Sequence, residues 1–258
     1  MLFVGCFENE IILSDSVIRQ EILIEAGINQ KYLTRVNDTG FTAEDAIGVY
    51  IVDYLNGHPL ILLNDGNHAD NVKYTLNQEG WSSVNQLYWT DDKTCVDAYS
   101  YSPYIESISD VRSIPFMVER RQDTYTSGQT LSGYENSDFL WAKATEAKPL
   151  NLIFLQHQHL MAGVCISLIE GEGFKGEWSS LEKSIIVTNT KLKSHINLQL
   201  GLVTVDEGDT PSSIVPYNNG NEWRCVVVPQ TVEANSELIQ IVIDGGLRIP
   251  LEHRAKIP

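Results

Sequence analysis

Short apolar runs punctuated by turn residues set the pattern of this chain. Runs rich in Val, Ile, Leu, Tyr and Thr recur at Glu21–Ala26, Gly48–Tyr54, Leu60–Leu63, Val72–Leu76 and Asn151–Leu155. They continue at Val164–Ile169, Lys183–Thr188, His195–Leu200, Arg224–Val228 and Leu238–Asp244. Each has strand length, and its β-branched and aromatic residues suit a pleated, half-buried surface. Between them stand Asn56-Gly57, Asp65-Gly66 and Asn218-Asn219-Gly220, whose residues tolerate the positive φ of tight turns. Helical periodicity is scarce: Val84–Tyr88 and Gly133–Trp141 have room for a turn or two at most.

Many short strands with regular turn punctuation predict an all-β protein of packed sandwiches. At 258 residues the chain is long enough for two ordinary cores. A polar stretch from Glu119 to Asn136 and then Ala147-Lys148-Pro149 precede a clean restart of the strand pattern. The expected division is an N-terminal arm over residues 1–20, a first sandwich over 21–146 and a second over 147–258. No repeat of 20–50 residues is visible, which argues against solenoids and propellers.

Charge narrows the partners. The formal net charge is -16, from 34 acidic against 18 basic residues. Such a surface repels phosphate backbones, so nucleic acid is not an expected partner. It also disfavours anchoring through a polybasic patch. No run approaches the ~20 apolar residues of a membrane-spanning helix.

The opening Met1-Leu2-Phe3-Val4-Gly5-Cys6 reads in two ways. It looks like the tail of a bacterial lipoprotein signal, an apolar run and a small residue before a Cys, which makes Cys6 a lipidation candidate. Against that, the basic start and most of the apolar segment of a signal are missing, as in a plain N-terminus. The other cysteines, Cys95, Cys165 and Cys225, form no CxxC pair, so zinc and thioredoxin-type chemistry have no support. Cys165 and Cys225 lie in apolar runs, either as free core thiols or as a disulfide.

Two constellations could carry a metal. Asp65-Gly66-Asn67-His68-Ala69-Asp70 offers oxygen ligands around a sharp bend, as a calcium loop does, but Glu79 comes too late to complete one. The same residues serve a hairpin turn. His157-Gln158-His159 places two imidazoles on one face of a strand, without a third ligand at obvious spacing. No nucleophile elbow, Walker loop, dinucleotide fingerprint or zincin motif occurs. Acidic pairs such as Glu44/Asp45, Asp91/Asp92 and Glu170/Glu172 do not flank sugar platforms. The expectation is therefore no catalytic residue, no metal, no cofactor and no enzyme.

A family resemblance runs through the chain in order. It starts with Arg35-Val36-Asn37-Asp38-Thr39-Gly40-Phe41 and Asp45-Ala46-Ile47-Gly48-Val49-Tyr50. Tyr74-Thr75, Gly80-Trp81 and Leu87-Tyr88-Trp89-Thr90-Asp91-Asp92 follow. Next come Asp97-Ala98-Tyr99-Ser100-Tyr101-Ser102-Pro103-Tyr104, Ile114-Pro115-Phe116-Met117-Val118, Gln122-Asp123 and Ser137-Asp138-Phe139-Leu140-Trp141-Ala142. The second half adds His159-Leu160-Met161-Ala162-Gly163-Val164, Gly173-Phe174, Val227-Val228-Pro229-Gln230 and Leu238-Ile239-Gln240-Ile241-Val242-Ile243.

In this order and spacing the chain resembles the fimbrillin family of surface lipoproteins of Gram-negative anaerobes. The resemblance implies two transthyretin-like Greek-key sandwiches in tandem, a lipid anchor at Cys6 and display at the outer membrane as part of a fimbria. It implies other fimbrial subunits as partners. They would join by strand exchange after an arginine-specific cut removes an N-terminal strand, with Arg19 and Arg35 as candidate cut sites. The alternative is a non-polymerising surface lipoprotein that binds a glycan or another host ligand. Trp81, Trp89 and Trp141 are expected in the first core, and Phe154 with Val164–Leu168 in the second. Two departures stand out. Gly163 occupies a position that is commonly basic in the family, and the sequence runs only to Pro258 after Leu238–Asp244. An open sheet edge beside Leu238–Asp244 is therefore expected.

Overall fold

The structure is a computed structural model and describes residues 20–29, 40–124, 133–172, 177–218, 220 and 222–243, with the backbone of 247–252. The first strands are β1 (Ile24–Ile28), β2 (Ala46–Leu55), β3 (His58–Pro59), β4 (Ala69–Asn77), β5 (Gly80–Ser82), β6 (Val96–Ser102) and β7 (Ile114–Met117). A helical turn, α1 (Gly133–Asn136), leads into β8 (Leu140–Ala147), β9 (Ile153–His159) and β10 (Ala162–Ile166). After a 3-10 turn at Trp178–Ser180 come β11 (Lys183–Thr190), β12 (Lys193–Asn197), β13 (Leu202–Val205) and β14 (Ser212–Ile214). The last are β15 (Tyr217–Asn218), β16 (Trp223–Val227), β17 (Glu237–Ile243) and β18 (Leu247–Glu252). The protein is all-β.

Among the described residues one sheet dominates. Its order is β1-β9-β8-β6-β2-β4-β5, with β3 paired to β2. All its pairings are antiparallel except that of β1 with β9. Three smaller sheets, β10-β16-β15, β14-β11-β17-β18 and β13-β12-β7, complete the fold.

The central strands of the large sheet read as unbroken apolar runs because both faces are covered. On β2, alternation sends Ile47, Val49 and Ile51 to one face, and Tyr50 and Val52 to the other. On β6, Val96 and Ala98 take the first face and Tyr99 and Tyr101 the second. The first face forms a small core with Ile22, Ile24, Tyr74, Trp89, Ile153 and Leu155. The sheet rolls around this core until its two edges meet, where the Trp81 indole N–H donates to the Ala26 carbonyl at 3.1 Å. The second face forms a larger core with Val111, Ile114, Phe139, Val187, Ile196 and Cys225–Val228.

Two buried glutamines tie this second core together. The Gln122 side chain accepts from Val226 N–H and donates to Val226 carbonyl, both at 2.8 Å. Gln230 does the same with Lys191, again at 2.8 Å on both sides. Each amide substitutes for a neighbouring strand and satisfies backbone groups that would otherwise be buried unpaired.

Several expectations need correction. β17 is not an edge: β11 flanks it on one side and β18 on the other, with Ile241 paired to both Ile185 and Ile249. Among the described residues the strand beyond it, β18, is an edge, and its Pro250 suits a position where one N–H is unused. Leu60–Leu63 is a loop rather than a strand; only Leu62 is buried, while Leu60, Ile61 and Leu63 are about half exposed. Phe154 is exposed because the inward residues of β9 are Ile153, Leu155 and His157. Trp141 turns to the second core, its indole N–H donating to Leu198 carbonyl at 2.7 Å. Strand pairing links residues on either side of 146/147, with β9 hydrogen-bonded to β8 and β7 to β12.

Candidate functional site

The feature that bears on assembly is β1. Its parallel ladder matches Ile24 with Ile153, Ala26 with Leu155 and Ile28 with His157. Ile22 and Ile24 point into the small core, whereas Leu23 stays exposed with Leu152 and Phe154 on the outer face. Full burial of an aliphatic side chain stabilises by roughly 1.5–3 kcal/mol, so this strand contributes a substantial part of the small core. Just before β1, Ile22 N–H donates to Leu87 carbonyl and Trp89 N–H to Gln20 carbonyl, both at 2.8 Å. Of the candidate residues that flank it in sequence, Arg19 and Arg35 lie outside the described residues, as does Cys6.

Between β1 and β5 the rolled sheet leaves a cleft of about 260 Å³. Glu21, Leu23, Glu25, Tyr74, Trp81 and Leu152 are among its lining residues. Sequence reading did not assemble it. Tyr74 and Trp81 stood out only as parts of a family pattern, and Glu21 and Glu25 carried no signal, because sheet curvature alone brings these segments together.

The two histidines of β9 do share a face, but each has a separate partner. His157 is fully buried, with Nε2 at 3.0 Å from Ser100 Oγ and Nδ1 at 3.2 Å from Leu155 carbonyl. His159 Nδ1 lies 2.8 Å from the buried Asp138 carboxylate. The Asp65–Asp70 segment is a turn: Asp70 accepts from Gly66 N–H at 2.9 Å and from Asn67 N–H at 3.1 Å. His68 bridges Asp53 Oδ1 at 2.8 Å and Tyr88 carbonyl at 2.9 Å. Among the described residues no group of three or more His, Cys, Asp or Glu could hold a metal ion.

Cys165 and Cys225 are free thiols on opposite faces of the β10–β16 ladder. Cys165 is exposed and donates to Glu222 Oε2 at 2.8 Å, whereas Cys225 is fully buried. A disulfide between them is excluded by this geometry.

Asp97 is a fully buried carboxylate met by three groups. Its carboxylate accepts from the Tyr54 hydroxyl at 2.8 Å and Glu146 N–H at 3.1 Å, and Lys143 Nζ stands 2.9 Å away. These partners tie β2, β6 and β8 together, which marks the cluster as a structural tie.

These features define a class: an all-β protein with two cores about one large sheet, and with an N-terminal strand docked in parallel at its edge. The profile of the fimbrillin-like family matches residues 34–253, and the chain belongs to that family. No curated protein matches it at a significant level. The fold is similar to that of a candidate cell adhesion protein from Bacteroides uniformis (21% identity, 90% of this chain and 84% of that one, TM-score 0.63). It is also similar to that of a candidate cell adhesion protein from Bacteroides ovatus (15% identity, 91% and 86%, TM-score 0.66). A fimbrial protein of Bacteroides ovatus shares the fold at 18% identity and a TM-score of 0.52; this chain covers 46% of its length. Among the described residues no helix is long and apolar enough to cross a membrane.

Proposed function

We propose that this chain is a structural or adhesive subunit of a fimbria, held at the outer membrane through an acylated Cys6 and assembled by strand exchange. Its role is mechanical and adhesive rather than enzymatic. Its fold is read as two Greek-key sandwiches of the transthyretin type in tandem, one about each core. Membership of the fimbrillin-like family supports the reading. The observation that carries the assembly step is the docking of β1, a short strand whose loss would uncover the small core along β9. A strand from another subunit could then restore the backbone bonds and fill the Ile22 and Ile24 sites, which is β-augmentation.

The position of β1 separates the two candidate arginines. A cut after Arg19 leaves Ile24–Ile28 attached to the chain, whereas a cut after Arg35 detaches it. Arg35 is therefore the maturation site of this proposal. The test is expression from the native locus, with mass spectrometry of the mature N-terminus and electrophoresis of unboiled cell-surface material. The expected result is an acylated Cys6 on the precursor, a mature chain starting at Val36, and a ladder of heat-sensitive polymers that Arg35→Ala abolishes and Arg19→Ala spares. Polymers persisting in Arg35→Ala, or a surface chain that retains β1, would overturn it.

A further inference from the structure

The N-terminal strand is held on two sides. Along Ile24–Ile28 it pairs in parallel with β9. Ahead of β1, residues 20–22 meet a segment that belongs to no strand, 87–89, through an isolated antiparallel bridge of Glu21 with Tyr88. Ile22 N–H donates to Leu87 carbonyl and Trp89 N–H to Gln20 carbonyl. In such a pair the backbone groups of Tyr88 itself point away from residues 20–22. On that far side His68 Nε2–H donates to the Tyr88 carbonyl at 2.9 Å, and His68 Nδ1 lies 2.8 Å from Asp53 Oδ1. The His68 side chain is 9% exposed, and Asp53 sits on β2, an interior strand of the large sheet.

Contacts therefore run in series from the large sheet to the strand: Asp53, the His68 ring, the Tyr88 peptide, then residues 20–22. Leu87 and Trp89 pack in the small core, but the buried Trp89 indole N–H has no hydrogen-bond partner among the described residues. Its ring adds packing and no polar anchor. Residues 84–86 on one side and 90–93 on the other are exposed. They turn on local bonds, Asn85 N–H to Ser83 Oγ and Lys93 N–H to Asp91 Oδ1. A segment with one isolated bridge between exposed turns opens at lower free energy than a strand inside a sheet.

We propose that residues 87–89 are a latch over the start of the docked N-terminal strand, with His68 as the positioning residue that keeps it shut. Opening the latch frees residues 20–22, and the β9 ladder then unzips from that end. The latch is a property of the uncut chain. Its consequence for assembly rests on the strand-exchange reading above: once a cut at Arg35 frees the far end, the latch helps set how long the strand stays docked. Gln20, Glu21 and Ile22 leave with that strand, whereas Asp53, His68 and residues 87–89 remain. The Leu87 carbonyl and Trp89 N–H are then open to the backbone of the incoming strand.

The test is amide hydrogen exchange, read by NMR, on the uncut full chain and three variants. His68→Gln places an amide N–H near the Nε2 position and should keep the bond to the Tyr88 carbonyl. His68→Asn is too short to reach that carbonyl, and His68→Leu makes no polar contact. The Ile22 and Trp89 amides should exchange about tenfold faster in the Asn and Leu variants, with His68→Gln close to the parent. The Val226 amide, buried in the second core and held by Gln122, should exchange alike in all four. That constancy separates latch opening from global unfolding. Unchanged exchange at Ile22 and Trp89 in both the Asn and Leu variants, an equal rise at Val226, or no rescue by Gln would each overturn the proposal. A parent chain that forms no polymers would sink the assembly reading instead, and the exchange pattern would still decide the latch.

Discussion

The Tyr101 ring lies against the backbone of Gly48, its cross-strand partner on β2. A Cβ built on Gly48 would come 2.3 Å from Tyr101 Cε1 and 2.6 Å from the hydroxyl oxygen. That oxygen is fixed as well, donating to Asn71 Oδ1 at 2.6 Å and accepting from Ile105 N–H at 3.3 Å. Asn71 holds its own place at a β4 bulge with φ of 46° and donates to Ile105 carbonyl at 2.9 Å.

Gly48→Ala should therefore destabilise the protein by about 1–3 kcal/mol through overpacking. A lower urea midpoint with an unchanged slope is the expected reading. Tyr101→Phe should cost about 1–2 kcal/mol from the orphaned Asn71 carbonyl. Because the two residues touch, the double variant should depart from additivity. Strict additivity would mean that the hydroxyl does not press on position 48.

How much of this was legible in the sequence follows from what each element depends on. β2, β4, β11 and β17 were readable because burial of one or both faces is written directly in their apolar residues. β6 and β8 were not readable from apolar pattern: Asp97 and Lys143 interrupt it, and the buried Asp97 is tolerated because Lys143, the Tyr54 hydroxyl and Glu146 N–H meet its carboxylate. Leu60–Leu63 misled because an aliphatic run was taken for a strand, when three of its four residues are exposed. The crossing of pairing at 146/147 and the meeting of β1 with β5 are products of sheet curvature, which no local pattern encodes. The family order pointed to Gln122 and Gln230, but their role appears only once Val226 and Lys191 are placed beside them.

Those glutamines give a second prediction. Gln122→Leu should leave both the N–H and the carbonyl of Val226 buried without this partner, costing about 2–4 kcal/mol. Gln122→Glu should cost more at neutral pH, since a carboxylate would face the carbonyls of Val226 and Glu119, to which the amide now donates. Its stability should recover as pH falls and the carboxyl protonates. Chemical denaturation of both variants at pH 7 and pH 5 checks this.

Thiol accessibility gives a third. Burial pushes the Cys225 thiol up to about 12, and burial with its bond to Glu222 raises that of Cys165. A disulfide-exchange reagent at pH 8 should modify exposed Cys165 in the folded protein, more slowly than a free thiol. Cys225 should react only on unfolding. Peptide maps with and without reductant should be identical for both residues; a linked pair would contradict the opposed faces of the β10–β16 ladder.

The acid limb of stability should report Asp209. Burial disfavours its ionised form, but the amides of Lys193 and Leu192 and the Lys193 ammonium outweigh this and hold the carboxyl below 3.8. The two amides donate to Oδ2 at 3.0 and 2.8 Å, and Nζ lies 3.5 Å from Oδ1. A carboxyl depressed in the folded state binds its proton more readily in the unfolded chain. Its stabilisation is therefore complete above the unfolded value and is lost as pH falls through the folded one. Asp209→Asn keeps an oxygen for the amides but cannot titrate, so its stability should fall less steeply below about pH 4 than that of the parent. Denaturation midpoints from pH 7 down to pH 3 measure the difference. Parallel curves for parent and variant would show that this carboxylate does not couple folding to protons.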